Sequence, residues 1–178
     1  MSYFIENWIR GKDADIFRKL SAETGQYYYP HVTLVRPFTP NSSEDEVKEL
    51  ITGTCKGQTP IPFSLEGFGS FGEVKYIPVV SSELLQFAEV LEDALAPKVK
   101  FVKKLGDQKT LHLTIDAAGQ ADPFPQTNFH MLRLTAIRNK FIWFSYDFVT
   151  GEVLNREETL DKERWAKTVN QFYGSPLV

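Results

Sequence analysis

Two four-residue segments of this chain repeat one pattern. Residues 31–34 (HVTL) and residues 112–115 (HLTI) each consist of a histidine, an apolar residue, a threonine and an apolar residue. Both segments are rich in β-branched and aliphatic residues, which favours strands. Because side chains two positions apart share one face of a strand, each histidine projects beside its threonine while the apolar pair faces a core. The sequence therefore predicts two core-anchored strands, each presenting an imidazole and a hydroxyl.

Chance does not readily account for the repetition of this pattern. The chain has 13 threonines in 178 residues and three histidines. At that composition, two histidines with matching threonines and apolar flanks would arise by chance roughly once in several thousand sequences. A single motif of this kind would indicate an ordinary hydrogen-bonded strand histidine. The matched pair, one in each half of the chain, indicates two strands that act together.

Composition excludes several classes of protein. The chain has 20 basic and 23 acidic residues, a net charge of −3, and 42% apolar residues. A broad cationic surface that coats nucleic acid is excluded, and so is a disordered chain. The single cysteine, Cys55, permits neither an internal disulfide nor a thiolate zinc site. With no signal-peptide pattern and no long apolar run, we expect one cytoplasmic domain spanning residues 1–178.

Hydrophobic periodicity predicts a mixture of strands and helices. They alternate in the first half of the chain, whereas strands dominate the second, which favours an α+β fold with mostly antiparallel sheets. Ser43, with Glu46 three positions later, has the form of a capping box. The predicted strands are 3–8, 31–38, 63–71, 75–80, 110–115, 129–137, 141–148 and 153–156, and the predicted helices are 13–24, 44–54, 83–95 and 161–172.

The paired motifs, about eighty residues apart, resemble those of the 2H phosphoesterase superfamily, and within it the group of 2′-5′ RNA ligases and RNA 2′,3′-cyclic phosphodiesterases. The resemblance implies a bilobal α+β fold, in which two pseudo-symmetric lobes face each other across a central cleft with helices outside. It also implies that His31, Thr33, His112 and Thr114 line this cleft as the catalytic residues. The implied reaction opens a 2′,3′-cyclic phosphate at an RNA end or in a small nucleotide to a 2′-phosphate. Run in reverse, it joins RNA ends through a 2′-5′ bond.

The chemistry of two histidines and two threonines suits this reaction. Histidine titrates near neutral pH, so one imidazole can accept a proton from water while the other donates one to the leaving ribose oxygen. The threonine hydroxyls can donate to the nonbridging phosphate oxygens. We therefore expect no metal and no cofactor. Which histidine is the base stays open, and a metal bound with His130 or Asp116 is the weaker alternative.

Residues around the first motif are candidates for substrate binding. We expect Tyr29 and Phe38 to stack on a base and Arg36 to contact phosphate. Simple alternation places Arg36 on the face opposite His31, so a bend before Pro37 would be needed to bring it inward. No basic residue follows the second motif at the matching position.

Two further expectations concern residues outside the motifs. The lysines that precede the second motif belong to a solvated connector or, alternatively, contact phosphate, and His130 is structural. These lysines are Lys103, Lys104 and Lys109.

Two other functions compete with this interpretation. The same chemistry would serve a cyclic dinucleotide, a cyclic oligonucleotide or a 2′-5′ oligonucleotide, whereas the same cleft without chemistry would serve an RNA-end-binding module. We expect a monomer that does not bind membranes. Because the net charge is −3, binding of RNA should depend weakly on salt, with one or two phosphates contacted.

Overall fold

The computed structural model describes residues 1–11, 14–15, 30–102, 110–115 and 123–174. Ala14 and Asp15 are helical, and four complete helices follow them in the described ranges. They are α1 (Glu44–Cys55), α2 (Ser82–Leu95), α3 (Arg156–Leu160) and α4 (Lys162–Tyr173). The strands are β1 (Tyr3–Trp8), β2 (His31–Pro40), β3 (Ile61–Leu65), β4 (Gly69–Phe71), β5 (Val74–Val80), β6 (Val99–Phe101), β7 (His112–Ile115), β8 (Thr127–Met131), β9 (Arg133–Arg138), β10 (Phe141–Asp147) and β11 (Val153–Leu154).

All of these strands join one curled antiparallel sheet. Nine of the described strands follow the order β11-β10-β9-β1-β2-β7-β5-β3-β8, with β4 paired to β5 and β6 paired to β2. The two motif strands, β2 and β7, are adjacent at the middle of this order, and they pair at Val32 and Leu113. The α+β fold with mostly antiparallel strands is therefore confirmed.

One face of the central strands is buried against helices. Val32, Leu34, Leu113 and Ile115 are each at most 1% exposed, and they belong to one hydrophobic cluster with the buried residues of α1 and α2. Helix α2 packs on β2 and β3, and α1 packs on α2. Burial of the apolar residues of both motifs forces the histidines and threonines onto the opposite face.

The helix boundaries follow from capping. Ser43 accepts a hydrogen bond from the backbone N–H of Glu46, whose side chain accepts one from the backbone of Ser43, so the predicted capping box is confirmed. Ser81 caps α2 and Asp161 caps α4 in similar ways. The predicted helix over residues 13–24 lies outside the described residues except for Ala14 and Asp15.

Two long predicted strands are each divided in the structure. The strand predicted over residues 63–71 is broken at Gly67, whose φ of +75° no extended strand allows, and β3 and β4 lie on either side. The strand predicted over residues 129–137 is broken at Leu132, between β8, which pairs with β3, and β9, which pairs with β10 and β1. The predicted hairpin between β9 and β10 is confirmed, and Asn139 and Lys140 turn it with positive φ.

Helix α4 is attached to the β9–β10 hairpin by a buried ion pair. Arg133 Nε donates to Asp147 Oδ2 at 2.7 Å, and both side chains are at most 2% exposed. Thr168 Oγ1 of α4 accepts a hydrogen bond from Arg133 Nη2 at 2.7 Å and donates one to Asp147 Oδ2 at 2.6 Å. The other Asp147 oxygen accepts from the backbone N–H groups of Val149 and Thr150. In the described ranges, no helix is long and apolar enough to cross a membrane.

Replacing Asp147 by Ala should destabilise the protein by about 3–5 kcal/mol, because the Arg133 charge stays buried without its carboxylate. The double replacement of Arg133 by Met and Asp147 by Leu should cost less than Asp147→Ala alone, since no buried charge remains. Urea denaturation of wild type and both variants measures these differences. A single variant as stable as wild type would contradict this account of the α4 attachment.

Candidate active site

The register of the central strands brings the two motifs together. Since Val32 lies opposite Leu113 in an antiparallel pair, His31 lies beside Thr114 and Thr33 beside His112. The outer neighbours of this strand pair are β1, which places Trp8 opposite His31, and β5, which places Tyr76 opposite Thr114. The four polar side chains thus form a square on one face of the sheet.

The two histidines occupy one pair of diagonal corners of this square, and the two threonines occupy the other pair. Directly opposed Cβ atoms in an antiparallel pair are about 4.5–5.5 Å apart, and diagonal ones about 7–8 Å. His31 and His112 are therefore separated by roughly the span of a tetrahedral phosphate with an oxygen on each side. An imidazole can reach the entering oxygen while the other reaches the leaving oxygen, which in-line displacement at phosphorus requires. The hydroxyls of Thr33 and Thr114 occupy the two remaining corners.

A buried carboxylate contacts the first histidine. Glu6 lies on β1 opposite Thr33, is 5% exposed, and places Oε1 3.1 Å from His31 Nε2. Its other oxygen accepts a hydrogen bond from Trp8 Nε1 at 2.7 Å. Burial raises the pKa of Glu6, and the neighbouring charge of His31 partly opposes this rise. Burial of the ionised Glu6 carboxylate therefore costs free energy. Its two partners are Trp8 and His31, and His31 is a candidate catalytic residue.

A backbone carbonyl contacts the second histidine. His112 Nδ1 lies 3.1 Å from the carbonyl oxygen of Thr110. A carbonyl can only accept, so this bond requires the proton on Nδ1, and in the neutral imidazole Nε2 then carries the lone pair. The two histidines therefore differ in their partners, a carboxylate for His31 and a neutral carbonyl for His112.

Two aromatic rings pack beside His112. The Tyr76 and Phe71 rings lie 5.1 and 5.3 Å from the imidazole between centroids, and they stack on each other at 4.4 Å. A Cβ atom at Gly69, which pairs with Tyr76, would lie 2.2 Å from the Tyr76 ring. Only glycine at this position allows the Tyr76 ring to lie where it does, so Gly69 helps to fix the surroundings of His112.

A cavity of about 510 Å³ opens on the His31 side of the square. Its walls come from alternate residues of β1, from His31 and Thr33, from the β9–β10 hairpin and from α3. The lining residues are Phe4, Glu6, Trp8, His31, Thr33, Pro37, Ile137, Lys140, Phe141, Ile142, Arg156 and Leu160. The cavity is mainly apolar and aromatic, with His31 and Thr33 at one wall and two cations, Lys140 and Arg156, at the others.

The structure does not bring the predicted substrate-binding residues of β2 to the square. Arg36 donates to the Val102 carbonyl at 3.2 Å, lies over the Phe101 ring and approaches Glu92 of α2 at 3.8 Å. Strand β2 carries a bulge, because Glu6 pairs with Thr33 and Ile5 with Val35, but this irregularity does not bring Arg36 to the face of His31.

Phe38 is part of the core rather than of a stacking surface. It is 1% exposed and packs against the rings of Tyr3 and Phe101, which corrects the expectation that it contacts substrate. The third candidate, Tyr29, lies outside the described residues, as do Lys103, Lys104 and Lys109.

His130 is separate from the square. Its Nδ1 lies 3.2 Å from the Tyr173 hydroxyl, and its ring packs edge-on against Phe172 and Tyr173 of α4. Among the residues that the structure describes, no group of three or more His, Cys, Asp or Glu side chains could hold a metal ion. Asp116 is not among them.

The sequence analysis missed Glu6, Thr110, Tyr76 and Gly69. For Glu6 a pattern was available: an acid between Phe4 and Trp8, the aromatic residues on its face of the strand over residues 3–8, is unusual and indicates a partner. For Thr110, Tyr76 and Gly69 no such pattern was available, because their roles depend on a backbone carbonyl and on a strand pairing that the sequence does not reveal.

Comparisons with known proteins identify the family of the chain and support its fold. The family model described as the 2′-5′ RNA ligase superfamily matches residues 18–140, more than half of the chain. The crystal structure of TT0787 of Thermus thermophilus superimposes with a TM-score of 0.58 at 13% sequence identity, covering 88% of this chain and 98% of that one. A crystal structure of a phosphoesterase matches with a TM-score of 0.47 at 13% identity, covering 86% and 92%. No curated protein matches the sequence.

The fold and the paired motifs define a 2H-type phosphoesterase architecture. The chain belongs to the 2′-5′ RNA ligase superfamily, as the resemblance of its two motifs implied. Membership places it among enzymes of the phosphoesterase and ligase kind, and the likeness to TT0787 supports the fold.

Replacing Glu6 by Gln should lower turnover of a phosphodiester substrate by about 10-fold or more, because His31, a candidate catalytic residue, then loses its carboxylate partner. The same variant should be as stable as wild type, or more stable, at pH 8. In wild type the folded pKa of Glu6 lies above the unfolded one, so the ionised form costs stability above the folded pKa, and this cost disappears as the pH falls below the unfolded value.

The control for this variant is Glu89→Gln, an exposed acid on α2, which should change neither property. Thermal unfolding at pH 4 and pH 8, together with initial rates, measures both effects. Unchanged turnover in Glu6→Gln would show that the carboxylate plays no part in the reaction.

Proposed function

We propose that this protein is a metal-independent phosphodiesterase that opens 2′,3′-cyclic phosphates, at RNA ends or in nucleotides, to 2′-phosphates. The observation that carries the proposal is the diagonal placement of His31 and His112, with a threonine hydroxyl beside each. A cyclic phosphodiester needs one proton acceptor and one proton donor on opposite sides of phosphorus, and this arrangement supplies both.

The partners of the histidines suggest their roles. His112 donates from Nδ1 to the Thr110 carbonyl, so its Nε2 lone pair is the candidate general base. His31 Nε2 lies 3.1 Å from Glu6 Oε1, a contact in which a proton is shared between the imidazole and the carboxylate, so His31 is the candidate general acid.

The reaction then balances without a metal. His112 takes a proton from water as the water oxygen bonds to phosphorus. The bond from phosphorus to the ribose 3′ oxygen breaks, and His31 gives that oxygen its proton. Thr33 and Thr114 donate hydrogen bonds to the nonbridging oxygens, where negative charge grows in the transition state. When a 5′-hydroxyl takes the place of water as the nucleophile, the same steps yield a 2′-5′ linkage.

Replacing His31 or His112 by Ala should each reduce kcat/KM by at least about 10²-fold, the usual contribution of a general acid or base. Replacing His130 by Ala should leave it unchanged, since that side chain contacts α4 instead of the square. Initial rates on 2′,3′-cyclic nucleotides, linear 2′-5′ oligonucleotides and cyclic dinucleotides measure the effect and rank the substrates.

The outcomes separate the competing functions. Turnover confined to cyclic dinucleotides or 2′-5′ oligonucleotides would replace the cyclic-phosphate substrate and keep the chemistry. No turnover of any phosphodiester, with retained binding of RNA ends, would replace the enzyme by a binding module.

A further inference from the structure

We infer that the cavity beside His31 binds the terminal nucleoside of an RNA strand, and that Lys140 and Arg156 bind that nucleoside's 5′-phosphate. This inference rests on the proposed function and narrows it: the substrate is a polynucleotide end in preference to a free mononucleotide.

The cavity is continuous with the reactive square. His31 and Thr33 form one of its walls, so a ligand whose phosphate lies between the histidines extends directly into it. Its volume of about 510 Å³ falls within the range of about 300–1,000 Å³ found for small-molecule sites, which is ample for one nucleoside. The cavity therefore has the position and the size for the group attached to the reacting phosphate.

The walls of the cavity suit a flat aromatic ligand. Phe141 is 66% exposed and Leu160 is 41% exposed, and both line the cavity, as do Phe4 and Trp8. Large apolar side chains left in contact with solvent at a cavity indicate a ligand that covers them. A nucleobase gains stacking energy on such a surface regardless of its identity. The occupant is thus a nucleoside rather than a bare ribose phosphate.

Two cations line the same cavity away from the sheet centre. Lys140 lies at the tip of the β9–β10 hairpin and Arg156 begins α3. Both are exposed, and neither forms an ion pair with any residue in the described ranges. In a chain of net charge −3, two such cations at one cavity are not part of a general positive surface.

A single nucleotide connects these groups. Its cyclic phosphate lies at the 2′ and 3′ oxygens and its 5′-phosphate on the far side of the ribose, with the base between the walls. A nucleoside 2′,3′-cyclic phosphate lacks the 5′-phosphate and loses the contact with Lys140 and Arg156. The enzyme should therefore prefer a strand whose terminal nucleotide is linked through its 5′-phosphate.

The test compares adenosine 2′,3′-cyclic phosphate with an adenylyl dinucleotide that ends in the same group. Wild type should favour the dinucleotide by at least about 10-fold in kcat/KM. The double variant Lys140→Gln and Arg156→Gln should lose most of this preference. For the dinucleotide, its slope of log KM against log salt concentration should be smaller than that of wild type by about one to two. Phe141→Ala should lower kcat/KM about 10-fold for both substrates, since both carry the base.

The controls are Lys162→Gln, which changes an exposed cation of α4, and Val90→Ala, which shortens an exposed apolar side chain of α2. Both should behave as wild type. If the cavity variants match wild type on both substrates while His31→Ala is inactive, the binding site is wrong and the proposed function stands. A loss in Phe71→Ala with none in Phe141→Ala would place the nucleoside beside His112 and overturn the inference. If wild type turns over neither substrate, the proposed function itself fails.

Discussion

The pairing of β2 with β7 is the constraint on which the site depends. Val32 and Leu113 bury their side chains in the core and fix the register of two strands that are 81 residues apart in sequence. A slip of one residue would turn the apolar residues of one motif toward solvent, so the hydrophobic core itself enforces the alignment. The same register fixes the diagonal spacing of His31 and His112, so the geometry of the square follows from core packing.

The local two-fold symmetry of this strand pair is broken by its surroundings. An antiparallel pair with matching motifs places equivalent side chains in equivalent positions, and yet acid–base catalysis needs two different proton states. Glu6 on one side and the Thr110 carbonyl on the other make the two imidazoles unlike. The cavity on the His31 side and the stacked rings of Phe71 and Tyr76 on the His112 side extend this asymmetry beyond the two histidines.

The sequence predicted those features that depend on local pattern. The motif strands, the capping box at Ser43 and the β9–β10 hairpin are all encoded within a few residues of themselves. The sequence did not predict features that depend on pairing between distant strands. Residues 129–137, for example, are divided at Leu132 because β8 and β9 pair with different strands. The contact of Arg36 with Glu92 of α2 and the burial of Phe38 against Tyr3 likewise depend on elements distant in sequence.

The most direct test of the central claim is to identify the product formed in EDTA. An oligonucleotide ending in a 2′,3′-cyclic phosphate is incubated with purified protein and the product is followed by ³¹P NMR. If the two histidines act alone as base and acid, the cyclic signal is replaced by that of a 2′-phosphate at an undiminished rate. A reaction that requires added divalent metal, or one that yields a 3′-phosphate, would contradict the account.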